Sequence, residues 1–494
     1  MNLADALSGR AGLKGIRWMF TGAPREMLRR ELGALLPTLK MLGPCRLLQA
    51  RFRPGRRLVA LYQVRVRTEG AKHGVRHIAV IWTLAGGESR VCTTADFAAM
   101  QAEAALHGVL APFRELVADV QAWGMRLEVS PLDLRFPQLI RLSDPRYVRE
   151  MLARAYAASE MAPEPLPHAG YVVWSVRYWP GKRHVLSYGP RDGAKGGRVF
   201  AKLSSGDKAT RASRATKGAA DWLTEHVDGV SAVRPLAYLP EDTVVLYPRV
   251  FGTPLSDLLR SIPRPELAQC LQRAGVALHT LHRLPEVAAG PLAFHDFGME
   301  VEEVTKESAH LPVLLPSQGA AVQAILERAQ ELHERLPQEP PTFTHGDFKS
   351  EHLWVASSGL TLIDFDTCRF ADPALDVGKL LADLQLRFLT DGQTGLEQAQ
   401  EQFLAGYARG GSRQRLVRSR LYQAIELVKL TARRVALFDH DWASRSEQLI
   451  GQAQAVINHA QGKLGLPIKR HFLVSAPDAR RESGPHRLAI GGPN

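Results

Sequence analysis

The sequence predicts an α+β protein of two or three structural units, and three observations carry that expectation. Strand-like segments cluster in two separate stretches, 46–92 and 171–250, the chain beyond 254 is almost wholly helical, and a short β-hairpin interrupts that helical region at 342–366. At 494 residues the chain also exceeds the ~250–300 residues at which a single hydrophobic core stops growing.

The first 45 residues read as helices, with apolar positions at helical spacing in MLRRELGALLPTLKML. Strands follow in RLLQARF, LVALYQVRV and HIAVIWTL, the first two joined at a Pro54-Gly55 turn. Residues 94–125 read as helix, 130–147 as irregular and proline-rich, and 148–160 as a short helix. MAPEPLPHAG (161–170) is a linker signal. The strand pattern then restarts with YVVWSVRYW, a Pro180-Gly181 turn, HVLSYG and GGRVFAKL. A helix at 208–227 and the strands SAVRPLAYL and TVVLYPRV come next. The expected organisation is an N-terminal α+β extension (1–165), a small antiparallel lobe (171–252), a helical large lobe carrying the hairpin (253–470) and a disordered tail (475–494).

Composition narrows the function. With 45% hydrophobic and 23% charged residues the chain has ample apolar material to bury, which excludes wholesale disorder. The four cysteines (Cys45, Cys92, Cys270, Cys368) form no C-x-x-C pair, arguing against a disulfide framework or a thiolate zinc site. No apolar run approaches the ~18 residues of a membrane span, and MNLADALSGR lacks the apolar stretch of a signal peptide. A cytoplasmic protein without membrane contact is expected. The net charge is +13, but the excess is interspersed with acids (REMLRREL, ARRVALFDHD) and forms no basic arm. It reads as a generally basic surface rather than a nucleic-acid site.

One internal repeat stands out. Arg51-Phe-Arg-Pro-Gly-Arg-Arg-Leu-Val-Ala-Leu-Tyr62 aligns without gaps on Arg177-Tyr-Trp-Pro-Gly-Lys-Arg-His-Val-Leu-Ser-Tyr188 at an offset of 126. Either two hairpins share turn chemistry, or a strand-rich lobe is duplicated, with residues 1–165 as the degenerate copy. Only the second copy has a lysine, Lys202, on the following strand. The paired basic residues of the two turns (Arg56, Arg57, Lys182, Arg183) read as solvated strand ends.

The chemistry-bearing stretch is His345-Gly346-Asp347-Phe348-Lys349-Ser350-Glu351-His352, followed by two alternating strands around Ser357-Ser358-Gly359 and ending at Asp364-Phe365-Asp366. A hairpin of this kind brings Asp347, before it, close to Asp364, at its far end. Two carboxylates with a lysine beside the first suit phosphoryl transfer, which needs a divalent cation on oxygen ligands, a base for the attacking hydroxyl and cations near the transferred group.

These residues resemble the aminoglycoside phosphotransferase and choline kinase family, distant relatives of the protein kinases. The family pattern is H-G-D, four residues, Asn, then a strand pair ending in I-D-[FW]. The resemblance extends to Lys202 in VFAKL, to the hinge-like Tyr247-Pro248-Arg249, to the helix Ala277–Pro285, and to Asp372, Pro373 and Asp376. It implies a bilobal protein-kinase-like fold over about 171–440, with nucleotide between the lobes. By that resemblance Asp347 is the base and Lys349 touches the γ-phosphate. Asp364 holds Mg²⁺ or Mn²⁺, with His352 and Asp366 as further metal neighbours. Lys202 contacts the nucleotide phosphates, and the Tyr247–Arg249 backbone holds the adenine of ATP. His345, Asp372 and Asp376 are structural, and so are His279 and His282. The chain departs from the pattern in having His352 where the family has Asn, and Thr216 where the helix glutamate partner of the lysine is expected, with Asp221 and Glu225 as nearby substitutes.

The implied activity is transfer of the ATP γ-phosphate to a hydroxyl of a small molecule (a sugar, an amino alcohol or an aminoglycoside-like compound). The acceptor pocket is expected beyond residue 386, where Asp391, Glu397, Asp439 and Trp442 are candidates. The rival reading is a nucleotide-binding pseudokinase or scaffold, which the two departures favour.

Overall fold

The computed structural model describes residues 1–36, 44–68, 71–84, 94–157, 159, 170–191, 197–203, 208–408 and 412–466. The expected tail (475–494), nearly all of the linker (161–170) and residues 192–196 lie outside the described residues.

The chain opens with helices α1 (Leu3–Ser8), α2 (Gly12–Thr21) and α3 (Ala23–Ala34). Asn2 caps the first by accepting the Asp5 N–H (2.8 Å), and Gly9 ends it at φ 86. Strands β1 (Arg46–Arg53), β2 (Arg57–Thr68) and β3 (Ala71–Thr83) form an antiparallel meander. After helix α4 (Thr94–Leu106), β4 (Val117–Val120) and β5 (Met125–Val129) complete a five-stranded sheet in the order β1-β2-β3-β5-β4. The sequence reading carried helix on to 125. Gly108 at φ 67 instead stops it, and the short segments VADV and MRLEV pair as an edge ribbon.

Helices α5 (Leu139–Leu142) and α6 (Pro145–Ala157) lead to a second sheet. It contains β6 (Tyr171–Trp179), β7 (Arg183–Pro190) and β8 (Val199–Leu203). Helix α7 (Lys208–His226) and strand β9 (Val230–Ala232) follow. Strands β10 (Ala237–Leu239) and β11 (Val244–Pro248) complete the sheet in the order β6-β7-β8-β11-β10. Its connectivity is that of the first sheet: three meandering strands, a helix, then two strands, with the last strand inserted beside the third. The repeated hairpins also share register, Arg53↔Arg57 and Val59 across β1–β2 matching Trp179↔Arg183 and Val185 across β6–β7. Lys202 pairs with Val185, and the residue in the same place opposite Val59 is Ile81.

The large lobe begins with β12 (Thr253–Pro254), α8 (Leu255–Leu258), α9 (Arg264–Leu281) and α10 (Glu286–Ala289). Next come β13 (Phe294–His295), α11 (Phe297–Ser308), α12 (Leu311–Leu314) and α13 (Pro316–Glu334). The region around Asp347 and Asp364 is built from β14 (Thr342–Thr344), β15 (Leu353–Ala356), β16 (Gly359–Leu362) and β17 (Arg369–Ala371). Helices α14 (Ala374–Thr390), α15 (Leu396–Tyr407), α16 (Arg413–Arg434) and α17 (Trp442–Lys463) complete it. Among the described residues no helix is long and apolar enough to cross a membrane.

Among the described residues three cores hold these parts together. Leu271, Ala274, Leu278, Leu380, Leu384, Phe403 and Tyr407 centre the large lobe. There α9 and α15 approach so closely that a Cβ on Gly406 would run into the Gln272 carbonyl. A second core joins Phe136, Leu139, Val148, Met151 and Leu152 to Tyr188, Ala201, Leu203 and Leu246, so α5 and α6 cover one face of the small-lobe sheet. The third runs without a break from α1–α3 and the first sheet into α11, α13, α16 and α17. Trp442 is buried in that third core, which removes it from the candidate acceptor residues.

The other face of the first sheet carries His77 and Glu128 toward Tyr178 of β6. Burial, reinforced by Asp133, pushes the Glu128 carboxyl from its ordinary 4.5 up to about 8. Across roughly pH 5 to 8 the unfolded chain ionises this group while the folded chain keeps its proton, so stability falls as pH rises through that window. The melting temperature is therefore expected to drop between pH 5.5 and 8, and Glu128→Gln to flatten the dependence when melting is followed by circular dichroism. Gly406→Ala, which overpacks the α9–α15 contact, is expected to cost about 2 kcal/mol in denaturant unfolding.

Candidate active site

The loop after β14 is built around one buried acid. Asp376, at the start of α14, accepts the N–H of His345 (2.6 Å) and of Gly346 (2.8 Å), and lies 3.3 Å from His282 Nε2. His282 reaches the Tyr407 hydroxyl with its other nitrogen (2.9 Å). Gly346 has φ 76, and a Cβ there would meet the Thr367 carbonyl, so only glycine fits. His345 Nε2 lies 2.9 Å from the Ile363 carbonyl, tying the loop to the end of β16. The structural assignments of His282, His345 and Asp376 agree with this geometry. His279 stacks edge-on against the Tyr407 ring (5.9 Å).

Asp347 follows this loop with its side chain 30% exposed. Burial alone would raise its pKa, but Lys349 Nζ, 2.7 Å from Oδ2, holds the carboxyl below the usual range. Lys349 also reaches Glu351 (3.0 Å), which in turn pairs with Arg434 (2.6 Å) and Arg387 (3.4 Å).

The β15–β16 hairpin delivers Asp364 in the left-handed region (φ 70), which aspartate tolerates better than most side chains. Its carboxylate is the meeting point of both lobes. Lys202 Nζ from β8 lies 2.6 Å from Asp364 Oδ1 and 2.6 Å from Asp366 Oδ1. Arg183 from β7 lies 2.5 Å from Asp364 Oδ1 and 2.8 Å from Asp366 Oδ2. Burial opposes the charge on Asp364, yet Lys202 and Arg183 hold it well below the ordinary carboxylate range. The same two aspartates outweigh the burial of Arg183 and raise its pKa.

Ligand atoms of Asp347, His352 and Asp364 lie within 4.8 Å of one another. His352 is buried, and its Nδ1 sits 2.9 Å from the Asp347 carbonyl oxygen, which can only accept, so Nδ1 carries the proton. Burial, with Lys349 nearby, lowers the imidazole to about 4, leaving it neutral with a bare Nε2 facing Asp364 Oδ2 at 3.2 Å. Two lone pairs pointed at each other invite a cation between them. The donor set of Asp347, Asp364 and the imidazole therefore fits a divalent ion, the carboxylates suiting Mg²⁺ and the nitrogen suiting Mn²⁺, while the two Asp366 oxygens face Lys202 and Arg183.

Two corrections to the sequence reading concern Arg183 and Lys202. Arg183 is not a solvated strand end; it is drawn in between two carboxylates 181 and 183 positions away in the chain. The lysine has no helix acid as partner in the place where one was sought. Thr216 is buried and donates to the Ala212 carbonyl (2.6 Å), Asp221 pairs with Arg234, and Glu225 is exposed. At the hinge, Tyr247 is the penultimate residue of β11, and Arg249 stacks on Phe251 (5.3 Å). Asp391 is engaged by Arg260 (2.8 Å). A second acid–histidine cluster, His295, Glu300 and Glu303, is threaded with cations instead, since Glu300 lies 3.2 Å from Lys379 and 2.8 Å from Lys429.

Residues 191–421 match the family model described as the phosphotransferase enzyme family, a span that includes Lys202, the hinge, Asp347 and Asp364. The chain is similar to a wild-type aminoglycoside 2′-phosphotransferase-IIIa solved with GDP, at 13% identity, 63% coverage of this chain and 99% of the other, and a TM-score of 0.44. It is similar to a choline/ethanolamine kinase family protein from Mesorhizobium loti at 17% identity, covering 63% and 99%, with a TM-score of 0.42. It is also similar to the amicoumacin kinase hAmiN, solved with AMP-PNP, Ca²⁺ and Ami, at 15% identity, covering 63% and 94%, with a TM-score of 0.43. No individual curated protein matches.

Asp376→Ala would leave two buried N–H groups and a buried imidazole without their acceptor. It is expected to lower unfolding free energy by about 3 kcal/mol in urea titration.

Proposed function

We propose that the chain transfers the γ-phosphate of ATP to a hydroxyl of a small molecule in the cleft between the lobes. The observation that carries this reading is the convergence of Asp347, His352 and Asp364 beneath Lys202 of the opposite lobe. The family match over 191–421 supports phosphotransfer as the reaction class.

In this reading Asp347 accepts the proton of the attacking hydroxyl. Its carboxyl is ionised and partly open to the cleft, and Lys349 orients it by holding one oxygen. Lys349 also offsets charge on the transferred group. Lys202 fixes the nucleotide phosphates, and the backbone around Tyr247 and Arg249 receives the adenine. Asp364, with Asp366 and His352, would hold Mg²⁺ or Mn²⁺, which supplies neutralisation of the β- and γ-phosphate oxygens. Positioning and fixed charge, not covalent chemistry, supply the acceleration. Sugars, amino alcohols and aminoglycoside-like compounds are the acceptor classes to test.

A nucleotide-binding scaffold without transfer is the second reading, favoured by Thr216 in place of the helix acid and by His352. Measuring label transfer from [γ-³²P]ATP to a panel of these acceptors, with Mg²⁺ and with Mn²⁺, separates the two: any acceptor-dependent product sinks the scaffold. Asp347→Ala is expected to lower kcat about a thousandfold while leaving ATP affinity within a few-fold. Near-normal turnover by that variant would overturn the assignment of the base.

A further inference from the structure

Arg183 lies at the tip of the β6–β7 hairpin, and residues flanking it on either side are held from outside the small-lobe sheet. The Gly181 N–H donates to Asp133 Oδ2 (2.8 Å), and the same oxygen receives His184 Nε2 at 3.0 Å. Lys182 reaches Glu307 of α11 at 3.8 Å. Glu307 also binds Arg51 of β1 (3.3 Å) and Arg433 of α16 (3.4 Å). The Arg51 guanidinium in turn lies over the Trp179 ring, 4.1 Å from its centroid. Four of the six residues from 179 to 184 are thus gripped by Arg51, Asp133 and Glu307. Two of those three grips come from the first 165 residues. Asp133 is buried, and its carboxylate is spent on this one turn and on the Arg135 N–H (2.9 Å).

We propose that Arg183 is a phosphate-contacting residue of the nucleotide site, and that Asp133 is a positioning residue that presets its hairpin. The proposal rests on the phosphotransfer reading above. Without nucleotide, Arg183 and Lys202 neutralise Asp364 and Asp366. When those carboxylates turn to a nucleotide-borne cation, the guanidinium is released at the same spot, with its planar donor fork aimed where phosphate oxygens arrive. Because the hairpin is held in place by Asp133, Arg51 and Glu307, little ordering entropy is lost as the contact forms. The N-terminal region acts as a brace behind the phosphate-facing turn. Its own repeat of that turn keeps an arginine, Arg57, but places Ile81 where the small lobe has Lys202.

The test compares AMP-PNP with Mg²⁺ against adenosine, each titrated calorimetrically into the full chain. Arg183→Ala and Asp133→Asn are each expected to weaken AMP-PNP about tenfold, the loss of one charge-assisted hydrogen bond, with adenosine affinity unchanged. A merely structural role would move both ligands alike. Arg57→Ala, at the corresponding turn of the first sheet, is expected to bind both as the unaltered chain does. If Asp133→Asn folds poorly by circular dichroism, Arg51→Gln carries the same expectation at the other side of the turn. Unchanged AMP-PNP affinity in Arg183→Ala, or equal losses for both ligands, would overturn the proposal while leaving the phosphotransfer reading intact. Failure of the unaltered chain to bind AMP-PNP would overturn both.

Discussion

The ion cluster formed by Arg183, Lys202, Asp364 and Asp366 is the constraint on which the rest of the site depends. Two cations from one lobe meet two carboxylates from the other, all largely withdrawn from water. Leaving either pair unmatched at such a place costs several kcal/mol, so the lobes must be assembled to within ångströms for the chain to tolerate these charges. That requirement explains the surrounding architecture. The hairpin register, the left-handed Asp364 and the position of Lys202 one residue before the end of β8 all serve the same meeting point.

Local patterns in the sequence make part of this legible. Asp347 and Asp364 are separated by one tight hairpin, so alternation and turn chemistry alone bring them together. Lys202 was readable for the same reason, as a lone cation on an apolar strand. The Pro-Gly repeat located corresponding hairpins in two sheets of equal connectivity. Arg183 was not readable, because its partners lie about 180 residues downstream and a basic residue beside a turn is usually solvated. The 117–129 ribbon was missed because four- and five-residue strands carry too little periodicity to compete with a preceding alanine-rich helical stretch.

The N-terminal region illustrates how tertiary context overrides a linear partition of the chain. Reading composition suggests an appendage ahead of a catalytic unit. In the fold, α5 and α6 roof the small-lobe sheet through one core, while α1–α3 and the first sheet share another with α11, α13, α16 and α17. Buried Asp242 of the small lobe is held by Arg141 (2.6 Å) and Tyr147 (2.8 Å). Such packing is invisible to a sequence scan, since apolar residues announce burial but not their partners.

The ladder between β9 and β16 has a mechanical corollary. Val230–Ala232 leaves the small-lobe helix and runs parallel to Leu360–Leu362, with Leu360 donating to the Gly229 carbonyl (2.8 Å) and Val233 to that of Leu362 (2.9 Å). Tearing this seam would strand backbone donors and acceptors away from water. The main chain itself thus stitches the small lobe to the β15–β16 hairpin, a tie that survives neutralisation of every charge in the ion cluster.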